Sequence, residues 1–309
     1  MMKLTLGPVL FNWPVAKWRD FYYRIADEAP IDTVVIGEIV CSKRAPFFAE
    51  AMPLIIERLQ HGGKEVLLGS LVLVTLERER RTTANLAANK TLPVEANDLS
   101  CLVGLAGRSH AIGPFVPVYN EATAAFFASR GATRICLPPE LPAESVAAIA
   151  AAVPNVIIEV FTFGRVPLAI SARCYHARVK GLSKDNCRFI CEVDPDGLAV
   201  ETLDHEPFVA INGVQTLSFT CSNLICDLST LSTIGVGACR LSPQTCDMVA
   251  VAQTFRDVID GRLQESEATS ALSRLIPQLP FSNGFLHARP GVDLVEKIKP
   301  LIDAVSAQD

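Results

Sequence analysis

No Lys/Arg-rich run appears in this chain, and 28 basic against 33 acidic side chains leave a formal net charge of −5. A nucleic-acid partner has to have its phosphates neutralised by cations, so the composition speaks against one. Long apolar runs are missing too. The longest strongly apolar run, the nine residues Val66 to Val74, has Gly69 and Ser70 inside it, far short of the roughly 20 residues of a membrane-spanning helix. The start, Met1-Met2-Lys3-Leu4-Thr5-Leu6-Gly7-Pro8, lacks the sustained apolar core and small-residue cleavage site of a secretory leader. No glycine fingerprint for a dinucleotide follows the early apolar runs, no Ser-His-Asp or zinc-protease motif is visible, and no two cysteines form a tight Cys-x-x-Cys pair.

What is present is a globular composition: 50% apolar and 20% charged residues in 309, enough for a large buried core. An α/β barrel routinely runs to about 200–250 residues as one unit, so one large domain with an appended segment and two domains both fit the length. Ten cysteines without a secretory pattern suggest a reducing, cytoplasmic setting, where thiols serve as ligands, nucleophiles or small hydrophobes rather than disulfides.

Short apolar runs alternate with amphipathic stretches. Val34-Val35-Ile36, Val66-Leu67-Leu68 and Val156-Ile157-Ile158-Glu159-Val160 suit parallel strands covered by helices on both sides. Pro14 and Pro142 fit first helical positions, and Ser242-Pro243 reads as a cap and first residue ahead of a stripe from Met248 to Ile259 that ends at Gly261. The repeat predicts a TIM-type, barrel-like α/β fold over 1–179 and 223–309. Residues 180–222 lose the helical period and carry the turn signals Asp194-Pro195-Asp196-Gly197 and Ile211-Asn212-Gly213, which predicts a small hairpin-rich insertion.

Three cysteines, Cys174, Cys187 and Cys191, fall just after an apolar strand pattern in a stretch without helical period. Thiolates in irregular backbone at a strand end can converge on one metal centre, while the plain alternative is three buried cysteines. Cys41 follows another apolar strand beside Lys43 and Arg44. In a barrel the C-terminal strand ends share one face, so Cys41 and Cys174 could meet there, and the two cations would favour a thiolate. The separations of 133, 13 and 4 residues lean only mildly toward iron-sulfur over zinc. Cys221 and Cys226 form the rival pair. Cys101, Cys136 and Cys239 read as strand hydrophobes, and Cys246, near a helix start, could have a lowered pKa.

The chain resembles the collagenase-like peptidase family in Glu38-x-x-Cys41-Ser42-Lys43-Arg44, in Glu159-Val160-Phe161-Thr162-Phe163-Gly164-Arg165-x-Pro167-Leu168-Ala169, and in Ser171-x-Arg173-Cys174 with Lys184-Asp185-Asn186-Cys187-x-x-x-Cys191. The resemblance implies a 4Fe-4S cluster on Cys41, Cys174, Cys187 and Cys191, a barrel-like fold and a heterodimer with a paralogue of the same family. It also implies oxygen-independent hydroxylation of ubiquinone precursors alongside a lipid-binding accessory protein. Protease activity and a non-catalytic scaffold are the alternatives. Where peptidase and RNA-modifying members usually carry Lys-Ile-Glu-Gly-Arg, this chain has Val236-Gly237-Ala238-Cys239-Arg240, which weakens any transfer of peptidase chemistry. Glu38, Asn97, Asp98, Asn120, Glu159, Arg173 and Arg240 are polar candidates for a site at the barrel mouth, with His176 beside a ligand position. None of them is assigned a catalytic role.

Overall fold

The computed structural model describes residues 2–296. In chain order its strands are β1 (Lys3–Leu6), β2 (Thr33–Ile36), β3 (Glu65–Gly69), β4 (Val94–Ala96), β5 (His110–Ile112), β6 (Ala132–Cys136), β7 (Ile157–Ile170), β8 (Leu198–Glu201), β9 (Pro207–Asn212), β10 (Gln215–Asn223), β11 (Ala238–Leu241) and β12 (Phe281–Ser282). The helices are α1 (Val15–Glu28), α2 (Ala45–Phe48), α3 (Met52–His61), α4 (Glu77–Ala87), α5 (Leu99–Leu105), α6 (Glu121–Ser129), α7 (Ala143–Ala152), α8 (Tyr175–Val179), α9 (Leu228–Thr233), α10 (Met248–Ile259) and α11 (Glu265–Leu275).

Strands β1 to β7 pair in sequence order, all parallel, and β11 closes the ring by pairing in parallel with both β7 and β1. The result is a closed eight-stranded TIM-type barrel with helices outside. The strands are apolar on both faces because helices cover the outside: β2, for example, is buried at every residue. Helix α1 covers the barrel with Trp18, Tyr22, Ile25 and Ala26, an i, i+4, i+7, i+8 stripe. Strand β7 is long because its second half leaves the barrel and pairs antiparallel with β10, which continues to β9 and then β8. Residues 180–222 therefore extend the barrel's own sheet through β7.

The inside of the ring is charged where such barrels are usually filled by branched apolar side chains. Arg240 of β11 donates to Glu159 of β7 at 2.6 Å and to Glu95 of β4. Arg134 of β6 reaches Glu159 at 3.1 Å and Glu65 at 3.0 Å. Thr5 of β1 donates to the same Glu159 carboxylate at 2.6 Å. Burial alone would raise the Glu159 pKa, but Arg240 and Arg134 outweigh it and hold the carboxyl below its usual range.

Several local expectations shift. Pro14 and Pro142 are N-caps, one residue before their helices. The late helix starts at Met248, not near Ser242-Pro243, because the Asp247 side chain accepts from the N–H groups of Val249 and Ala250. Cys101 lies in helix α5, not in a strand. Among the described residues no helix is long and apolar enough to cross a membrane.

Candidate functional site

The site begins in the loop after β2. Gly37 has φ 136°, a region that favours glycine, and a Cβ there would stand 3.1 Å from the Gly69 carbonyl oxygen. Glu38 then accepts the N–H groups of Val40 and Cys41 on one carboxylate oxygen, each at 2.8 Å, which fixes the turn that carries Cys41. Its other oxygen lies 3.7 Å from Arg44, and both side chains are buried. Arg44 donates to the Leu10 carbonyl at 2.9 Å and to Asn212 Oδ1 at 3.3 Å. Asn212 donates to the same Leu10 carbonyl at 2.8 Å. Gly213 leaves room for this, since a Cβ there would come 3.0 Å from Arg44 Nη2. Arg44 thus joins the loops after β1 and β2 to the β9–β10 turn.

On the other side of the Cys41 loop, Ser42 donates to Glu79 at 2.7 Å. Burial pushes the Glu79 carboxyl up, but hydrogen bonds from Ser42, Thr75 and Leu76 prevail and hold it at about 2.

Cys174 stands at the N-terminus of α8, and the next N–H, of Tyr175, donates to the Gly213 carbonyl at 3.0 Å. Between Cys187 and Cys191 the chain turns through two consecutive non-glycine residues in the left-handed region, Arg188 (φ 50°) and Phe189 (φ 54°). Such residues cost about 1–3 kcal/mol each and concentrate at functional sites. Lys43 holds this segment from across the pocket, donating to the carbonyls of Lys184 (2.8 Å) and Asp185 (3.0 Å), with its Nζ 3.8 Å from Cys187 Sγ. The Phe47 and Phe189 rings pack edge to face with centroids 4.7 Å apart.

Cys41, Cys174, Cys187 and Cys191 consequently line one pocket, together with Lys43, Arg44, His176 and Phe189. Burial pushes the Cys191 thiol up to about 11, opposed by Arg44 and reinforced by Cys174, Cys41 and Cys187. Cys41 is also raised rather than lowered: desolvation outweighs Arg44, and Lys43 points to Cys187. Arg44 itself is held above its ordinary value; burial would lower it, but Glu38 and the thiols of Cys191, Cys41 and Cys174 prevail. His176 is buried, with Nε2 2.8 Å from Asp194. Both His176 Nδ1 and Arg44 Nε are buried without a hydrogen-bond partner. Among the described residues no three or more His, Cys, Asp or Glu are grouped tightly enough to hold a metal ion, so the four thiols share a pocket without closing on a single point.

The other cysteines are elsewhere. Cys136, Cys221 and Cys239 are fully buried. Cys226 contacts Thr269 at 3.3 Å and lines a different cavity. Cys246 is pushed up to about 12 by burial and by Asp196, against the lowering expected at a helix start. The polar candidates also disperse. Glu159 and Arg240 are spent on each other inside the barrel, and Asn97 donates to Ser70 and Glu95. Asp98 and Asn120 are helix caps, while Arg173 is exposed beside the pocket. Of these candidates, Glu38 and His176 belong to the cysteine site. Sequence reasoning missed the tie from Arg44 to Leu10 and Asn212, although Asn212-Gly213 was legible as a turn.

A family profile described as Peptidase family U32 matches residues 18–296. The chain belongs to this family. That establishes the collagenase-like peptidase resemblance at family level. Two curated relatives, each named tRNA hydroxylation protein P, come from Helicobacter pylori strains 26695 and J99. Each is 26% identical over 204 residues, covering 58% of this chain and 48% of the relative. The chain thus spans about half the length of the curated relatives it matches. Among solved structures, a tryptophan synthase complex from Pyrococcus furiosus aligns with 10% identity and a TM-score of 0.37, covering 88% of this chain and 97% of that one. A glycoside hydrolase family 5 enzyme from Prevotella bryantii B14 aligns with 9% identity and a TM-score of 0.38, covering 87% and 95%.

Proposed function

We propose that this U32 family member is a UbiV-type iron-sulfur protein in which Cys41, Cys174, Cys187 and Cys191 hold a 4Fe-4S cluster. It acts with a UbiU-type paralogue as a heterodimer in oxygen-independent hydroxylation of ubiquinone precursors, alongside a UbiT-type lipid-binding protein. The observation that carries this reading is the shared pocket of four thiols drawn from the β2 loop and from the segment after β7. The donor set suits the group. Four cysteines are the usual ligands of such a cluster, and negatively charged thiolates need compensation in a buried site. Arg44 faces three of them and Lys43 the fourth, and Arg44 Nε is a donor with no partner in the protein.

A bound cluster would supply one-electron chemistry or a structural tie between its ligands. The chain's own residues do the rest: Glu38 positions the Cys41 turn, Arg44 locks it to the β9–β10 turn, and Lys43 holds the Cys187 loop. The relatives named for tRNA hydroxylation support hydroxylation as the chemistry. The net charge of −5 supports a small acceptor over an RNA.

Single replacement of Cys41, Cys174, Cys187 or Cys191 by Ala should lower bound iron and destabilise the protein, because metal binding to such sites is coupled to folding. Replacing Cys221, Cys226 or Cys246 should leave iron near the parent level. Iron analysis of anaerobically purified variants decides it. Full iron in Cys41→Ala with loss in Cys226→Ala would overturn the assignment.

A further inference from the structure

Residues 173–188 carry Arg173, Arg178, Lys180, Lys184 and Arg188 against a single carboxylate, Asp185, in a chain whose net charge is −5. All but Lys184 of these cations are exposed. Elsewhere the exposed arginines are mostly matched to acids: Arg19 with Asp20, Arg24 with Glu28, Arg58 with Asp27, Arg80 and Arg81 with Glu77, Arg262 with Asp257. Among the described residues none of the five cations in 173–188 makes an ion pair with a carboxylate.

Three of the five cations adjoin the cysteine pocket. Arg173, Arg178 and Lys184 line an open depression together with Cys174, and Cys174 and Lys184 also line the cysteine pocket behind it. One wall thus separates that pocket from the surface. On the adjoining helix α8, Tyr175 and Val179 are 40% and 61% exposed and give the face an apolar centre.

We propose that this face is the docking surface for a small acidic protein that carries one electron at a time. The inference rests on the cluster reading and names the partner of that same site. Unmatched cations around a small apolar centre steer an acidic partner and orient it. Redox encounters need only a small interface, below about 1,200 Å² in total. An RNA would extend past the patch over a surface whose remaining charge is more negative than the chain total, whereas a compact acidic protein covers only the favourable area. In the step itself the reduced carrier would give up one electron to a cluster held by the four thiols; no bond would form or break.

The test uses the full anaerobically purified chain with its iron content measured first. Flavodoxin, acidic and reduced to its hydroquinone, is mixed with the protein and cluster reduction is followed by absorbance, with methyl viologen radical, a small cation, as the comparison reductant. The flavodoxin rate should fall steeply with salt, and R178E/K180E should lower it about tenfold or more at low salt with iron content unchanged and the rate of the cationic viologen unchanged or raised. A flavodoxin rate indifferent to salt and to charge reversal overturns the proposal, as does equal slowing with both reductants. Binding of unfractionated tRNA that R178E/K180E abolishes, without an effect on flavodoxin, overturns it in favour of a nucleic-acid face. A parent protein without iron sinks the cluster reading and this inference together, whereas iron-loaded protein with an indifferent rate sinks this inference alone.

Discussion

Replacing Arg240 with methionine should destabilise the fold by about 3–5 kcal/mol, the cost of breaking a buried pair by removing one partner. Arg240 is 2% exposed, and it is the cation shared by Glu95 and Glu159, both without solvent exposure. Without it, two carboxylates face each other inside the barrel with only Arg134 left to pair Glu159. A surface pair such as Arg24 with Glu28, both half exposed, is worth about 0–1 kcal/mol, so Arg24→Ala is the matched comparison. Urea unfolding measures both: the midpoint should drop far more for Arg240→Met, with little change in slope. Equal shifts for the two variants would mean that the charged interior is not what holds the ring closed.

Arg44→Met should be similarly costly, and it should also lose iron. It removes the hydrogen bonds to Leu10 and Asn212 and the counter-charge of Glu38, a loss of about 3–5 kcal/mol by the same reasoning. Because these contacts set the Cys41 turn against the β9–β10 turn, the variant should retain little of the parent's iron. Arg44→Lys should fall between, since a lysine keeps the charge but not the planar fork that spans two acceptors. Arg240→Met separates the two effects: it destabilises the barrel away from the thiols, so iron per folded chain should stay near the parent value. Loss of iron in Arg240→Met equal to that in Arg44→Met would show that general instability, not the local tie, empties the pocket.

The barrel was legible because parallel strands buried on both faces read as unbroken apolar runs, and Val34-Val35-Ile36 is such a run. Its boundaries were less so. The run that begins at Val66 continues beyond β3 as Leu71-Val72-Leu73-Val74, yet the strand stops at Gly69, where the Val72 N–H turns to the Ile39 carbonyl. The charged interior could not be read locally. Glu95 and Arg240 are 145 positions apart, and each alone resembles a surface or site residue; only closure of the ring makes them partners. At the site, the grouping of Cys174, Cys187 and Cys191 is sequence-local and visible. Arg44 depends on Leu10 and Asn212, 34 and 168 residues away, so its neighbour Cys41 marked it only as a nearby charge. That view also misjudged the balance at Cys41, because burial, which a sequence does not display, outweighs the adjacent cation.

The iron and acid-labile sulfide content of anaerobically purified protein, together with its absorption spectrum, decides whether Cys41, Cys174, Cys187 and Cys191 hold a cluster. About four iron and four sulfide per chain are expected, as the 4Fe-4S composition requires, with absorption in the visible range that is lost on exposure to a chelator and oxygen. Zinc at one ion per chain without iron, or folded protein that binds no metal after anaerobic reconstitution with iron and sulfide, would contradict that assignment.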